Sequence, residues 1–205
     1  MNTTTISLAV FILLNALTSS AQFNLTWTKK LDKNNIQIYT AKPAKAAVNA
    51  VKAHTLLNTT PDKLLAFLLS PAMHTKNLPN CKYSILLKNN GDTAYYFHQQ
   101  YDLPWPVTDR EVVYLFKVKR LPNKNIAITS GIITDMIPLN KNYIRITEFA
   151  AQWQINLVAP NKTEAFYMAL ANPAGSIPAW FLNIFLVDGP YQSFKSMHDY
   201  FNETK

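Results

Sequence analysis

Leu103-Pro104-Trp105-Pro106-Val107-Thr108-Asp109-Arg110-Glu111 is the stretch on which the fold turns. Two prolines flank a tryptophan, a polar turn leads into an Arg-Glu pair, and a strand-like run from Val112 to Val118 follows at once. Proline has no N–H to give to a sheet ladder, so this stretch predicts a rigid turn between two strands. In the strand that follows, Lys117 and Lys119 are placed outward. That sets Val112, Tyr114, Phe116 and Val118 on an inner face.

Upstream, Ile85 to Leu87, Asn90-Gly91 and Ala94 to Tyr101 predict a hairpin, with Asn-Gly supplying the positive φ angles of a tight type I′ turn. Thr60-Pro61-Asp62 is a helix start: a capping hydroxyl, proline at the first position and a carboxylate against the helix dipole. Leu64, Leu65, Phe67 and Leu68 form its apolar face, and Ser70-Pro71 ends it. Trp27 to Tyr39 predicts an opening strand or hairpin with a polar turn at Asp32 to Asn35, and Val48 to Leu57 another strand. Downstream, Ile126 to Thr134, Tyr143 to Phe149, Trp153 to Val158 and Thr163 to Ala169 add four more. The expected sheet is long and antiparallel, so it must twist and curl, with one face covered.

The cover is a C-terminal helix. Ser176 is its expected cap and Pro178 lies near its first turn. Trp180, Phe181, Ile184, Phe185, Leu186 and Val187 follow, nearly apolar all round. Gly189-Pro190 predicts a kink, and Tyr191, Phe194, Met197 and Phe201 continue an apolar stripe at helical spacing.

Composition bounds the function. The 205 residues are 48% hydrophobic and 16% charged, which suits one core and one domain. Only 4 glycines occur, with no GxxxxGK[ST] or GxGxxG, so a glycine-dependent phosphate loop is not expected. The single cysteine, Cys81, excludes an internal disulfide and a cysteine-cluster metal site, and reads as a small semi-buried side chain. His54, His74, His98 and His198 lie far apart, with no HExxH, and no GxSxG nucleophile elbow exists. No catalytic residue, metal ligand or cofactor is assigned. His98 is the best acid/base candidate, but alternation with Phe97 turns it outward.

The formal net charge of +8 draws the chain toward anionic lipid headgroups or nucleic acid. The aromatics sit in apolar strand and helix patterns and no recognition motif is present, so nucleic acid is not an expected partner. Residues 1–21 read as a signal peptide. Ile6 to Leu17 is apolar and uncharged but shorter than the roughly 20 residues a spanning helix needs, and Ser19-Ser20-Ala21 offers small residues for cleavage. The expected mature domain is residues 22–205, exported to a periplasm or secreted; the alternative is that residues 1–21 stay attached as an uncleaved anchor.

Several of these pieces, in order, resemble the START (StAR-related lipid transfer) family. The Pro-Trp-Pro turn with Arg110-Glu111 resembles its PWPxxxRD-type signature, and Tyr143-Ile144-Arg145 its YxR strand. Trp153 to Pro160, Lys162-Thr163, Tyr167 and Asn172-Pro173-Ala174-Gly175-Ser176-Ile177-Pro178-Ala179-Trp180 resemble its W…P…T…Y…DPGGxIPxW tail. Glu111 stands where Asp is usual, and Asn172 and Ala174 where the tail turn has Asp and Gly.

The resemblance implies an α+β helix-grip fold, a curved antiparallel sheet around a C-terminal helix. It also implies an internal hydrophobic cavity that holds a single lipid (sterol, phospholipid or fatty acid) and carries it between membranes. The protein would act as a monomer touching a membrane surface transiently. Its cavity walls would be Val112, Tyr114 and Phe116 on the sheet and Trp180, Phe181, Ile184 and Phe185 on the helix. From pattern alone, the same side chains read as filling a closed core.

Arg145 would orient a headgroup or sterol hydroxyl, or pair with a carboxylate such as Asp135 or Glu148. Arg110 and Glu111 would brace the turn, with Trp105 packed under it in preference to the alternative of a place at a membrane surface. Leu121 to Asn125 and Asp135 to Asn142 are the expected gates, the second bringing Met136, Ile137 and Leu139 to a bilayer. The alternative is a cyclase-like enzyme of the same architecture acting on a hydrophobic small molecule.

Overall fold

One long curled sheet gripping a C-terminal helix is the architecture of the computed structural model, which describes residues 25–42, 49–172, 174–175, 181 and 184–203. The expected leader and Ser176, Pro178 and Trp180 lie outside the described residues. The chain opens with a hairpin of β1 (Thr28–Lys33) and β2 (Ile36–Ala41). Its two turn residues, Asn34 and Asn35, take φ of 55° and 58°, a conformation asparagine tolerates better than most residues.

After β3 (Asn49–Leu57) comes α1 (Pro61–Leu68), started by the residues expected: the Thr60 hydroxyl accepts from the Lys63 N–H, and Pro61 and Asp62 occupy the first turn. Ser70-Pro71, expected to end this helix, also begins another. The Ser70 hydroxyl accepts from the Met73 N–H at 3.4 Å and caps α2 (Pro71–Asn77), so the same device is used twice in succession.

The remaining strands are β4 (Cys81–Asn90), β5 (Ala94–Tyr101), β6 (Arg110–Arg120), β7 (Ile126–Ile132), β8 (Ile144–Arg145), β9 (Glu148–Ala159) and β10 (Lys162–Asn172). The sheet order is β1-β2-β3-β10-β9-β7-β6-β5-β4, antiparallel along that path. The pairing of β10 with β3 joins the two ends of the sequence.

Three expectations are corrected. The single strand expected over Tyr143 to Phe149 is two: β8 runs parallel to β6 for two residues, and the chain then turns into β9. The split follows from Arg145, which is drawn to Glu111 on β6. The Asn90-Gly91 hairpin is a three-residue loop, because Asn90 pairs with Ala94 and only Gly91 has a positive φ. The Thr93 hydroxyl donates to the Asn90 carbonyl at 3.2 Å and stabilises the longer form. Third, Trp105 does not pack under its turn; it is 90% exposed. The turn is held instead by Val107 N–H to the Pro104 carbonyl (3.0 Å) and Leu103 N–H to the Asp109 carboxylate (2.9 Å).

A π-helical turn, Ile184–Asp188, feeds α3 (Gly189–Glu203), which lies across the inner face of the sheet. The kink expected at Gly189-Pro190 takes this form. Pro190 cannot donate to the preceding turn, and the widened helix accommodates the missing bond. A Cβ on Gly189 would stand 3.3 Å from the Ile184 carbonyl oxygen, so a side chain here would press on that backbone. Phe194 is buried and stacks on Trp153 of β9, centroids 5.6 Å apart and planes 7° from parallel. Polar contacts tie α3 to four other places: Asn34 to Tyr191, Asn77 to Ser196, Thr55 to His198 and Asn58 to Asn202.

The Phe194→Ala variant should lose about 3–5 kcal/mol of unfolding free energy in urea, the usual range for a buried phenylalanine. A loss well under 1 kcal/mol would show that the stack does not hold the helix to the sheet.

Candidate functional site

Strand alternation builds the site. On β6, Val112, Tyr114 and Phe116 face inward, while Glu111 and Val113 point to the other side. On β9 and β10 the inward set includes Ala151, Ala169 and Ala171 beside Trp153 and Tyr167. Alanines at these wall positions leave volume that larger side chains would fill. Between them and the helix lies an internal cavity of about 380 Å³, within the roughly 300–1,000 Å³ typical of small-molecule sites. Phe181, Ile184, Phe185, Phe194 and Met197 close it from the helix side.

Six of the eight residues expected in the site therefore meet around one space: Val112, Tyr114 and Phe116 from the sheet, and Phe181, Ile184 and Phe185 from the opposite wall. Trp180 lies outside the described residues. Arg145 is corrected. It sits on the far side of the sheet, where its guanidinium meets the Glu111 carboxylate at 2.8 Å and donates to the Pro138 carbonyl at 2.9 Å. Neither Asp135 nor Glu148 is its partner; Glu111, next to it in the β6–β8 register, is nearer.

Glu111 is 1% exposed. It receives Arg145, the Asn140 N–H at 3.3 Å and His98 Nε2 at 3.1 Å. Burial alone would raise its pKa, but these donors outweigh burial and hold the carboxyl below its ordinary value. Glu111 thus fastens the 133–143 loop to the outside of the sheet and does not brace the Pro-Trp-Pro turn. His98 does point away from the cavity as expected, yet it is buried against Glu111 and Tyr83.

Inside the cavity the polar groups are few. The Tyr101 hydroxyl donates to the Gln99 carbonyl oxygen at 2.7 Å, and the Gln99 amide donates to Ser84 Oγ at 3.4 Å. Ser84 Oγ bonds His74 Nδ1, and His74 Nε2 donates to the Leu68 carbonyl, both at 2.8 Å. Burial lowers the His74 pKa, so the ring is neutral and both its nitrogens are engaged. Sequence reasoning missed this residue, because Ser70-Pro71 reads as the end of a helix and α2, which carries His74, was not expected.

Arg110 also lines the cavity, buried, and donates to the carbonyls of Thr108 and Ala174. It braces the turn as expected and joins it to the segment entering the helix. A Cβ on Gly175, at φ 67°, would lie 3.1 Å from Ile144, so the approach here is close. Cys81 is buried, its thiol pushed up to about 11 by desolvation, which leaves it an unreactive small side chain. Among the described residues, no group of three or more His, Cys, Asp or Glu side chains is placed to hold a metal.

Neither expected gate borders the cavity. Leu121 to Asn125 forms a tight turn at the far end of β6, with the Asn125 side chain accepting from the Leu157 N–H. The 133–143 loop is fastened outside by Glu111. The cavity reaches the surface instead where Leu78, Pro79 and Asn80 face Gln192, and there it adjoins a polar groove containing Lys76, Lys82 and Asp102. The Asp102 N–H donates to the Asn80 carbonyl at 2.9 Å, and Lys82 pairs with Asp102 at 3.1 Å.

A START domain family model matches residues 15–204. The chain belongs to the START family. A crystal structure of a STAR-related lipid transfer protein from Xanthomonas axonopodis superposes with a TM-score of 0.78 at 25% identity, covering 86% of this chain and 98% of that one. Human phosphatidylcholine transfer protein is 24% identical over 162 residues, 77% of this chain and 75% of its own. A Streptomyces aromatase/cyclase shares the fold alone, at 8% identity and a TM-score of 0.55 over 76% of this START domain and 94% of the cyclase.

Breaking the Glu111 cluster has a defined signature. The carboxylate's lowered folded pKa means that its contribution is complete above the unfolded value of roughly 4.3. That contribution is lost as pH falls through the folded value. Glu111→Gln should cost about 3–5 kcal/mol at neutral pH. Urea midpoints between pH 2 and 6 should fall less steeply with acid in the variant than in the parent, and parallel curves would count against this role.

Proposed function

We propose that this START domain carries one lipid in the cavity between sheet and α3, and exchanges it with membranes by carriage and not by chemistry. The observation that carries the reading is the cavity itself. It is lined by aromatic and aliphatic side chains, kept open by alanines at wall positions, and closed by a helix. Transfer of apolar ligand surface into such a space is worth about 25 cal/mol per Å² before the costs of binding. The lipid transfer proteins among its relatives support the same reading.

Docking is assigned to the end of the sheet where β6 begins. Trp105 and Leu139, 90% and 76% exposed, both lie there: the Ile144 N–H bonds the Asp109 carbonyl after the Trp105 turn, and Arg145 holds Pro138 beside Leu139. Exposed tryptophan and leucine on a chain of net charge +8 suit an anionic bilayer surface. The opening of the cavity between Leu78–Asn80 and Gln192 lies beside the same end and is the proposed exchange route. The apolar Ile6 to Leu17 segment supports export of the chain.

The cyclase-like alternative requires acid and base groups converging on a ligand. His74 is the histidine at the cavity and both its nitrogens are bonded within the protein, while His98 faces away.

Native mass spectrometry of the purified protein should find one lipid equivalent per chain, released by organic extraction. A clean protein mass that persists after incubation with mixed lipids would overturn the carrier reading. In a vesicle assay with anionic acceptors, Trp105→Ala should slow lipid transfer on the order of tenfold while leaving lipid content unchanged. Equal transfer rates would remove Trp105 from docking.

A further inference from the structure

Two hydroxyl groups stand in the cavity with no hydrogen-bond partner among the described residues. Tyr114 on β6 is 5% exposed and packs against Phe97, Phe116 and Phe149. Tyr167 on β10 packs against Trp153 and Phe194. Both line the cavity, and neither hydroxyl has a hydrogen-bond partner among the described residues. The contrast with their neighbours is informative. Tyr101, Gln99, Ser84 and His74, on the same inner wall, satisfy one another in an unbroken chain that ends on a backbone carbonyl.

A buried tyrosine O–H ordinarily finds a partner, because an unmet polar group in an apolar site is costly. Water can serve in an empty cavity. A lipid that displaces that water must replace its hydrogen bonds or bind less well. Burial raises the pKa of Tyr114 and Tyr167, so each remains a neutral donor. Tyr114, Tyr167 and Tyr101 also lie close enough to influence one another electrostatically. The surrounding wall is apolar, and the cationic Arg110 is engaged with the carbonyls of Thr108 and Ala174. A charged headgroup brought against this pair of tyrosines would lose its hydration for little return.

We infer that Tyr114 and Tyr167 form the subsite that selects the lipid, donating to an uncharged oxygen, a hydroxyl or a carbonyl, held inside the cavity. The Tyr101 oxygen, whose proton is given to Gln99, is available to accept from a ligand hydroxyl. The inference rests on the lipid-carrier reading and adds the chemistry of the ligand's polar end: a neutral lipid alcohol or ester, with its oxygen inward.

The test is displacement of the fluorescent apolar probe N-phenyl-1-naphthylamine from the full chain by matched 18-carbon competitors: oleyl alcohol, methyl oleate, oleate and 1-octadecene. The alcohol and the ester should displace the probe at about tenfold lower concentration than octadecene, and ahead of oleate. In Tyr114→Phe/Tyr167→Phe, with melting temperature checked against the parent, the alcohol and ester should weaken toward octadecene while octadecene itself is unchanged. Each single variant should show part of the effect, which keeps the test available if the double variant folds poorly. Oleate as the best competitor, or an undiminished preference in the variants, overturns the subsite. Failure of the probe and of every competitor to bind instead overturns the carrier reading on which it rests.

Discussion

Alternation along β6 is the constraint on which the rest of the molecule depends. Val112, Tyr114 and Phe116 face the cavity, while Glu111 between Arg110 and Val112 is turned to the other side and closed under a loop. A slip of one residue would exchange these sets, placing a carboxylate among aromatics and three large apolar side chains against a polar loop. Glu111 therefore does more than fasten Arg145. Its pairing fixes which face of the strand is the wall, because only one register gives the buried carboxylate its donors.

The same strand separates two kinds of polar chemistry. Outside, Glu111 and Arg145 form an ion pair, with His98 bonded to the carboxylate, that holds a loop. Inside, the Tyr101-to-His74 chain is neutral and internally complete. A charged network on the inner face would demand solvent or a counter-ion where the structure provides an apolar space. Arg110 is the cation of β6 on the inner side, and its bonds to the carbonyls of Thr108 and Ala174 hold it at the turn, so the rest of the wall remains suited to a hydrophobic occupant.

Much of this was readable in the residues because it is local. The cap at Thr60-Pro61-Asp62, the alternation of β6 and the stripe of Phe194 and Met197 each follow from spacing along one segment. The family motifs then supplied the order in which such segments pack. What escaped is what depends on segments far apart. Arg145 was placed correctly on a strand but on the wrong face, because the carboxylate that draws it lies 34 residues earlier. Ser70-Pro71 was read as a stop, although it carries the same capping signature as Thr60-Pro61. Trp105 was expected to pack because large aromatics usually do, and nothing in a nine-residue stretch shows that its loop is held by backbone contacts and Asp109. The place where the cavity adjoins the polar groove was missed for a similar reason: Leu78–Asn80 and Gln192 approach only when α3 lies across the sheet.

The pairing of β3 with β10 and the tethers of α3 bear on the order in which the molecule can be completed. A chain that emerges from the ribosome N-terminus first holds β4 to β7 long before β10 arrives to join them to β3. The aromatic wall of β6 then stands uncovered until the fifteen residues of α3 are made. Contacts between such distant parts form slowly, since a long loop must close before they stabilise anything. During that interval the uncovered wall is exposed apolar surface, and the helix that closes over it is what withdraws that surface from association with other chains.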